Sequence, residues 1–232
     1  MGDMAASATS ATPPAPALRP RVTICYAQSL DGSIAGAERT PLALSGPESL
    51  TLTHQLRASH DAILVGIGTL LTDNPQLTVR HVPGPHPRPI VADSRLRCPP
   101  DARILQDPPR SPLIATTAHA DADRQSILEA AGARVLRLPC TAERRVDLAA
   151  LLASLAEQGI QRLMVEGGGE IISSFLAGRL VDSIVITIAP RLIGGLPVLA
   201  APVPVAGRLV NVVYDRLGDD LIVTADLAWD PE

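Results

Sequence analysis

Short apolar runs alternate with stretches of helical spacing along the chain from Arg21 onward. The runs are rich in β-branched residues and are bounded by glycine, proline or polar residues, which is typical of buried strands. The predicted strands are 22–27, 61–65, 77–81, 89–92, 113–117, 133–138, 162–165 and 183–189. The predicted helices are 47–59, with Ser45 or Gly46 near its N-cap, 121–131, 146–157 and 171–177. Thr69 is predicted to cap one further helical turn, which Pro75 ends.

The last apolar stretch, 209–229, divides into two halves around Leu217-Gly218-Asp219-Asp220, which is typical of a hairpin. Alternating strands and helices predict a mostly parallel sheet with helices on both faces, and the hairpin adds an antiparallel edge. The fold class is therefore α/β. Residues 1–20 are rich in Ala, Ser, Thr and Pro without the apolar core of a signal peptide, so we expect a disordered tail followed by one domain over 21–232.

Composition excludes several classes of function. The net charge of −4 argues against a nucleic-acid partner, which would need a basic face. All 20 cationic residues are arginine, so a lysine Schiff base, a lysine general base and a P-loop lysine are excluded. The three cysteines are widely spaced, which indicates a reducing cytoplasm rather than a disulfide framework. No histidine spacing suggests a metal site, and no apolar window suggests a membrane span.

Two glycine-bearing turns are the first sign of a ligand site. The apolar run 62–65 leads into Gly66-Ile67-Gly68-Thr69, and the run 163–165 leads into Glu166-Gly167-Gly168-Gly169. Such turns place backbone N–H groups and a helix N-terminus at the carboxyl edge of a sheet, where phosphate binds. The first turn lacks the third glycine of a dinucleotide fingerprint, so a tight connection is its alternative. The three glycines of the second favour cofactor binding, because close approach of a ligand would explain their entropic cost.

Charged residues accompany these turns. Four acids, Asp31, Asp73, Asp93 and Glu166, fall at or just after predicted strand ends, so they could converge on one edge of the sheet. Asp73 precedes Asn74-Pro75, and an ordinary turn residue is its alternative interpretation. Two arginines, Arg57 and Arg80, could clamp an anionic group with paired N–H donors, or could be surface residues.

Several motifs occur together and in order along the chain. They are YAQSLDG at 26–32, HQLRA at 54–58, DAILVGIGTLLTDNPQLTVR at 61–80, VADS at 91–94, VEGGG at 165–169, VD at 181–182 and APRLIGG at 189–195. Together they resemble the reductase domain of riboflavin biosynthesis, from about residue 22 to residue 195, and the 61–80 match is the most specific.

The resemblance implies a fold like that of dihydrofolate reductase and a homodimer. It implies reduction by NADPH of the ribosylamino group of a 5-phosphoribosylaminopyrimidine to a ribitylamino group. The NADPH contacts it implies are Ala27, Thr69, Asp73, Ser94, Gly168, Gly169, Glu170, Ile171, Ile172, Ser173 and Ser174. The substrate contacts it implies are Arg57, Leu77, Arg80 and Glu166. Asp73 is the candidate for polarising or protonating the reacting nitrogen, and Ser94-Arg95 could meet the 2′-phosphate of the cofactor.

The chain also departs from the pattern of the bacterial bifunctional members. Cys25 stands where they have a lysine, and Pro41 and Ala43 stand where they have a serine and a tryptophan. The form of the 26–31 motif resembles stand-alone archaeal and fungal reductases, which act before deamination, and no zinc deaminase signature precedes it. The substrate order stays open at this point. A paralogous reductase of another heterocycle or a specialised metabolite is one alternative, and a non-enzymatic nucleotide-binding module is another.

Overall fold

The structure, a computed structural model, describes residues 19–38, 42–106, 110–200 and 207–230. The predicted tail, apart from its last two residues, and Pro41 lie outside the described residues.

Eleven strands are formed in the described part of the chain. They are β1 Arg21–Ser29, β2 Ser33–Ala35, β3 Ala62–Gly66, β4 Arg88–Ala92, β5 Leu113–Thr117, β6 Arg134–Leu138, β7 Arg162–Val165, β8 Ser183–Ala189, β9 Leu196–Pro197, β10 Gly207–Leu217 and β11 Asp220–Trp229. The helices are α1 Pro47–Ser59, α2 Ile67–Asp73, α3 Ala122–Ala130, α4 Leu148–Glu157 and α5 Gly169–Ala177, with a short 3₁₀ turn at Arg103–Gln106.

Nine strands make one sheet in the order β10-β11-β8-β1-β7-β3-β4-β5-β6. The seven strands from β8 to β6 pair in parallel, and β11 adds the hairpin antiparallel to β8. The two remaining strands, β2 and β9, form a separate two-stranded ribbon that no pattern in the sequence indicated. The predicted α/β class, with its mostly parallel sheet and antiparallel edge, is confirmed.

The central strands are buried on both faces, which is why they are almost continuously apolar. Because side chains alternate along a strand, Leu64 of β3 joins a core with α4 and α5, whereas Ile63 and Val65 join a second core with α2 and α3. Leu52 and Leu56 of α1 pack against the second core. The helices therefore cover both faces, as predicted.

Aspartate caps set the start of two helices more sharply than apolar spacing did. Asp121 accepts hydrogen bonds from the N–H groups of Asp123 and Arg124, so α3 begins at Ala122. Asp147 accepts from Ala149 and Ala150, so α4 begins at Leu148 rather than at residue 146.

Two local predictions are wrong. Residues 77–81 do not form a strand, because Leu77 adopts a positive φ of 54° and side chains rather than a neighbouring strand bind the backbone that follows. Thr69 does not cap α2, because it lies inside a helix whose N-cap is Gly66. The Thr69 hydroxyl instead accepts the N–H of Gly168 at 2.9 Å and so joins the two glycine turns. The helix ends at Asn74, which is left-handed with a φ of 41°.

Candidate active site

A cleft of about 1540 Å³ opens at the carboxyl ends of β1, β3, β4 and β7. Most of the predicted site residues line it. Those that do are Ala27, Arg57, Thr69, Asp73, Ser94, Glu166, Gly168, Gly169, Glu170, Ile171 and Ser174. The two glycine turns lie on the same cleft, because β3 and β7 are neighbours in the sheet.

Four predicted contacts are not among the residues that line this cleft. Ile172 and Ser173 lie on another side of α5, because one helix presents only residues such as 170, 171 and 174 to the same surface. Ser173 accepts a hydrogen bond from the N–H of Ala200, and Ile172 is buried in the core. Leu77 is buried, and Arg80 is exposed outside the cleft with its guanidinium on the Thr78 hydroxyl.

An ion pair between a buried arginine and a partly exposed glutamate lies beside the central strands of the sheet. Arg57, in the last turn of α1, donates from Nε to Oε2 of Glu166 at 2.9 Å and from Nη2 to Oε1 of the same carboxylate. Its Nη1 donates to the carbonyl of Thr78 at 3.0 Å. Burial opposes the charge of Arg57, but Glu166 outweighs that effect and raises the pKa of the guanidinium. Since three of the five N–H groups of Arg57 are engaged, the pair acts as one rigid unit rather than as a free cation.

Cys25 stands next to this pair and lines the cleft. Burial, and then the negative charge of Glu166, raise the pKa of its thiol. The Cys25 side chain is therefore neutral and small where it lines the cleft, whereas the lysine of the bifunctional pattern is long and charged. Ala43 also lines the cleft, and its carbonyl accepts from Arg191.

The four acids do not converge as a group. Asp73 and Glu166 line the cleft, but Asp31 and Asp93 are not among the lining residues. Asp31 accepts the Ser29 hydroxyl and the N–H groups of two residues in the loop after β8, which lower its pKa from 3.8 to about 2. Burial raises the pKa of Asp93, which accepts the N–H of Cys98 at 2.8 Å and thereby shapes the loop after β4. Both acids hold loops in place.

Asp73 itself ends α2 and is exposed at the cleft. Partial burial raises the pKa of its carboxyl group above 3.8. This direction brings the group closer to the range in which a carboxylic acid exchanges a proton at neutral pH.

An arginine cluster, which sequence patterns largely missed, lines the part of the cleft toward β6. It consists of Arg95 and Arg97, in the loop after β4, and Arg144 and Arg145, in the loop after β6. All four are exposed. The Ser94 hydroxyl accepts the N–H of Val146 at 3.1 Å and joins the two loops. Only Arg95 had a local signal. Arg97 lies in the same loop, and the β4-β5-β6 order of the sheet brings Arg144 and Arg145 to them.

Two of the glycines in the second turn are required by the chain's own packing. A Cβ on Gly167 would lie 2.6 Å from Cγ2 of Ile171, and one on Gly169 would lie 2.7 Å from the carbonyl oxygen of Val198. These contacts let α5 begin directly at the sheet edge. No side chain caps its N-terminus, so backbone N–H groups face the cleft.

The family model described as RibD C-terminal domain matches residues 20–223. The chain belongs to the RibD C-terminal domain family. This confirms the resemblance on which the site residues were assigned.

Relatives within the RibD C-terminal domain family match over most of this chain. It is 43% identical over 220 residues to the 2,5-diamino-6-ribosylamino-4(3H)-pyrimidinone 5′-phosphate reductase of Archaeoglobus fulgidus, covering 90% of this chain and 98% of the relative. It is 32% identical to the protein of the same name from Saccharomyces cerevisiae, covering 91% and 88%. It is 33% identical to the riboflavin biosynthesis protein RibD of Aquifex aeolicus, covering 88% of this chain but 57% of that protein.

Solved structures of RibD C-terminal domain relatives carry the same fold. The Saccharomyces cerevisiae riboflavin biosynthesis reductase Rib7 superposes with a TM-score of 0.74 at 31% identity, covering 91% of each chain. Acinetobacter baumannii RibD gives 0.73 at 24% identity, covering 91% of this chain and 58% of that one.

Two further properties bear on ligands. No helix in the described part of the chain is long and apolar enough to cross a membrane. Among the described residues, no group of three or more His, Cys, Asp or Glu side chains is placed to hold a metal ion.

Proposed function

We propose that this chain is a 2,5-diamino-6-ribosylamino-4(3H)-pyrimidinone 5′-phosphate reductase that uses NADPH. The observation that carries the proposal is the 43% identity to the archaeal reductase of that name, over 98% of its length. The YAQSLD form of the 26–31 motif and the reductase name shared by the archaeal and yeast relatives favour the diaminopyrimidine over the deaminated compound. Relatives with the reductase name also argue against a paralogue that acts on another heterocycle.

The cleft fits NADPH beside a substrate. Its volume exceeds the roughly 300–1,000 Å³ of a typical single-ligand site, and it holds complementary groups for both molecules. The uncapped α5 N-terminus, which begins at Gly169, suits the pyrophosphate. Ala27 lies beside it, as does Gly168, whose own N–H is donated to the Thr69 hydroxyl. The arginine cluster and Ser94 suit a 2′-phosphate. When bound, NADPH supplies a hydride to the open-chain imine of the substrate.

The residues of the chain act mainly by positioning. Arg57 fixes the Glu166 carboxylate, whose remaining lone pairs face the cleft and accept hydrogen bonds from the substrate. The resemblance assigns the substrate phosphate to Arg80. Its guanidinium is exposed on the Thr78 hydroxyl, outside the cleft, so it has to turn toward the cleft to make a charge-assisted hydrogen bond with that phosphate. Asp73 lines the cleft and polarises or protonates the reacting nitrogen.

The decisive experiment is NADPH oxidation by the purified protein with each of the two 5-phosphoribosylaminopyrimidines. We expect turnover of the diamino compound at least tenfold more efficient than that of the deaminated compound. A preference for the deaminated compound would reverse the substrate order, and no turnover of either would refute the assignment.

We further propose that the protein is a cytoplasmic homodimer of single-domain subunits. Support for the dimer comes from β10, an 11-residue edge strand with Val213 50% exposed and Tyr214 66% exposed. Such an edge pairs readily with another chain. Light scattering on the purified protein, with Tyr214→Glu as the disrupting variant, tests it.

A further inference from the structure

Side chains, rather than a strand partner, bind the backbone of residues 76–80. Arg110 donates to the carbonyls of Gln76 and Leu77 at 2.8 and 3.0 Å. Arg57 donates to the carbonyl of Thr78. This clamped segment, 76–80, carries two of the proposed substrate contacts, Leu77 and Arg80.

Two imidazoles bind the N–H groups of the same segment. Nδ1 of His54, on α1, accepts the N–H of Arg80 at 3.0 Å, and Nδ1 of His86 accepts the N–H of Val79 at 3.2 Å. A ring nitrogen accepts a hydrogen bond only when it is unprotonated, so each bond fixes the Nδ1 lone pair toward the clamped segment.

The environment of His54 keeps its ring neutral. Burial, and then the charges of Arg57, Arg80 and His81, lower its pKa from 6.5 to about 4, against a smaller opposing effect of the Thr78 backbone. Its Nε2 is buried without a hydrogen-bond partner in the described part of the chain, and its ring lies edge-on to His81 with centroids 4.5 Å apart. A fully buried imidazole with one unpaired ring nitrogen lowers the free energy of unfolding. The hydrogen bond from the Arg80 N–H to Nδ1 of His54 offsets part of this loss.

We propose that His54 and His86 are positioning residues for substrate binding, which act by holding the backbone of Val79 and Arg80 and so aim the Arg80 guanidinium. This inference rests on the proposed function, because it assigns Arg80 to the substrate phosphate. Neither histidine lines the cleft.

The test compares variants that keep or remove the acceptor. Asparagine places its Oδ1 near the position of imidazole Nδ1, so His54→Asn and His86→Asn keep the acceptor, whereas His54→Leu and His86→Leu remove it. His86 is exposed, so its variants do not disturb the core. His119, exposed in the turn after β5, provides the control His119→Leu.

Two measurements are made on every variant. The first is amide hydrogen exchange of the peptide over 76–81 in the ligand-free protein, which is independent of any substrate. We expect about tenfold faster exchange in the leucine variants, and rates near those of the unsubstituted protein in the asparagine and control variants. The second is steady-state kinetics, where the KM for the pyrimidine should rise about tenfold in the leucine variants while NADPH affinity stays within twofold.

The outcomes separate this inference from the proposed function. Unchanged exchange in both leucine variants would overturn the inference, whatever the substrate. Faster exchange with an unchanged pyrimidine KM would overturn it as well, since the segment would then not position the substrate. A protein that reduces neither pyrimidine refutes the proposed function, and the exchange data then still decide whether the histidines hold the segment.

Discussion

Arginine occurs in two opposite settings within one cleft. At the middle of the sheet Arg57 is 8% exposed and bound to Glu166 by two hydrogen bonds, whereas the arginine cluster after β4 and β6 is exposed. A buried guanidinium with a bidentate carboxylate has little charge left for a ligand, but it fixes that carboxylate accurately. In the arginine cluster, Arg97 lies 3.9 Å from Asp93 and Arg145 lies 3.8 Å from Glu170. These distances are too long for hydrogen bonds, so the guanidiniums keep N–H donors available for an anion. The difference indicates that the buried Arg57 orients the Glu166 carboxylate, whereas the exposed arginine cluster attracts an anionic ligand.

The largest effect is expected from breaking the buried pair. Glu166→Gln should lower kcat/KM for the pyrimidine by about 100-fold and the free energy of unfolding by about 2 kcal/mol, because Arg57 would keep its charge without a counter-ion. Turnover and urea unfolding measure the two effects. Glu157→Gln, on the exposed side of α4, is the matched control. A variant with normal turnover would show that Glu166 only stabilises Arg57.

The variant Asp73→Asn, at the exposed rim of the cleft, distinguishes a catalytic role of Asp73 from a role in shaping the turn. The amide can keep the turn before Asn74-Pro75 but cannot deliver a proton, so single-turnover NADPH oxidation should slow by about 100-fold with an unchanged melting temperature. A lower melting temperature with normal single-turnover rates would make Asp73 a turn residue.

The double variant with Arg144→Ala and Arg145→Ala tests whether the exposed arginine cluster attracts the cofactor. We expect weaker NADPH binding by about 1 to 2 kcal/mol in calorimetry and little change for NADH, because only NADPH has the 2′-phosphate. Arg216→Ala in the hairpin is the control. Equal affinity of the unsubstituted protein for NADPH and NADH would refute the assignment of the arginine cluster.

The smallest expected effect is the pH dependence of the free energy of unfolding that arises from the buried His54. His54 titrates at about 4 when folded but near 6.5 when unfolded, so the unfolded chain binds more protons between these values. The stabilising contribution of neutral His54 is therefore complete above about pH 6.5 and is lost as the pH falls toward 4. His60, whose pKa burial also lowers, adds to the same slope.

The His54→Asn variant isolates this contribution. It should lose roughly 1 kcal/mol less than the unsubstituted protein between pH 7 and about pH 5.7, measured by urea unfolding at both values. The same pH dependence in both proteins would contradict a neutral, buried His54.

Local patterns predicted the regular part of the fold well. The bounds of β5, β7 and β8 match the predicted strands, because each is a short, mostly apolar and β-branched run with polar or proline residues close to its ends. The segment 77–81 has the same composition, and its strand prediction failed because its partners are side chains from α1, from the loop before β4 and from Arg110. No local pattern shows such partners.

The candidate site divides in the same way. Motif positions such as Thr69, Asp73 and Glu166 were found because they lie in the glycine turns or just after a strand. Ile172 and Ser173 were assigned to the cofactor because the resemblance covers the whole segment 168–174, but the helix α5 directs these two side chains away from the cleft. The contribution of Arg144 and Arg145 depends on the order of strands, which spacing along the chain does not contain.

The hydrogen bond from the Val146 N–H to the Ser94 hydroxyl ties together two loops that are 52 residues apart in sequence. Under the proposed assignment of the arginine cluster to the 2′-phosphate, cofactor preference depends on the two loops together rather than on either loop alone. Exchanging the loop after β4 alone would remove the hydrogen bond from Val146 to Ser94. The loop after β6 would then shift, and Arg144 and Arg145 would shift with it. A redesign toward NADH therefore has to replace both loops together, or keep Ser94 and change only the charges on either side of it.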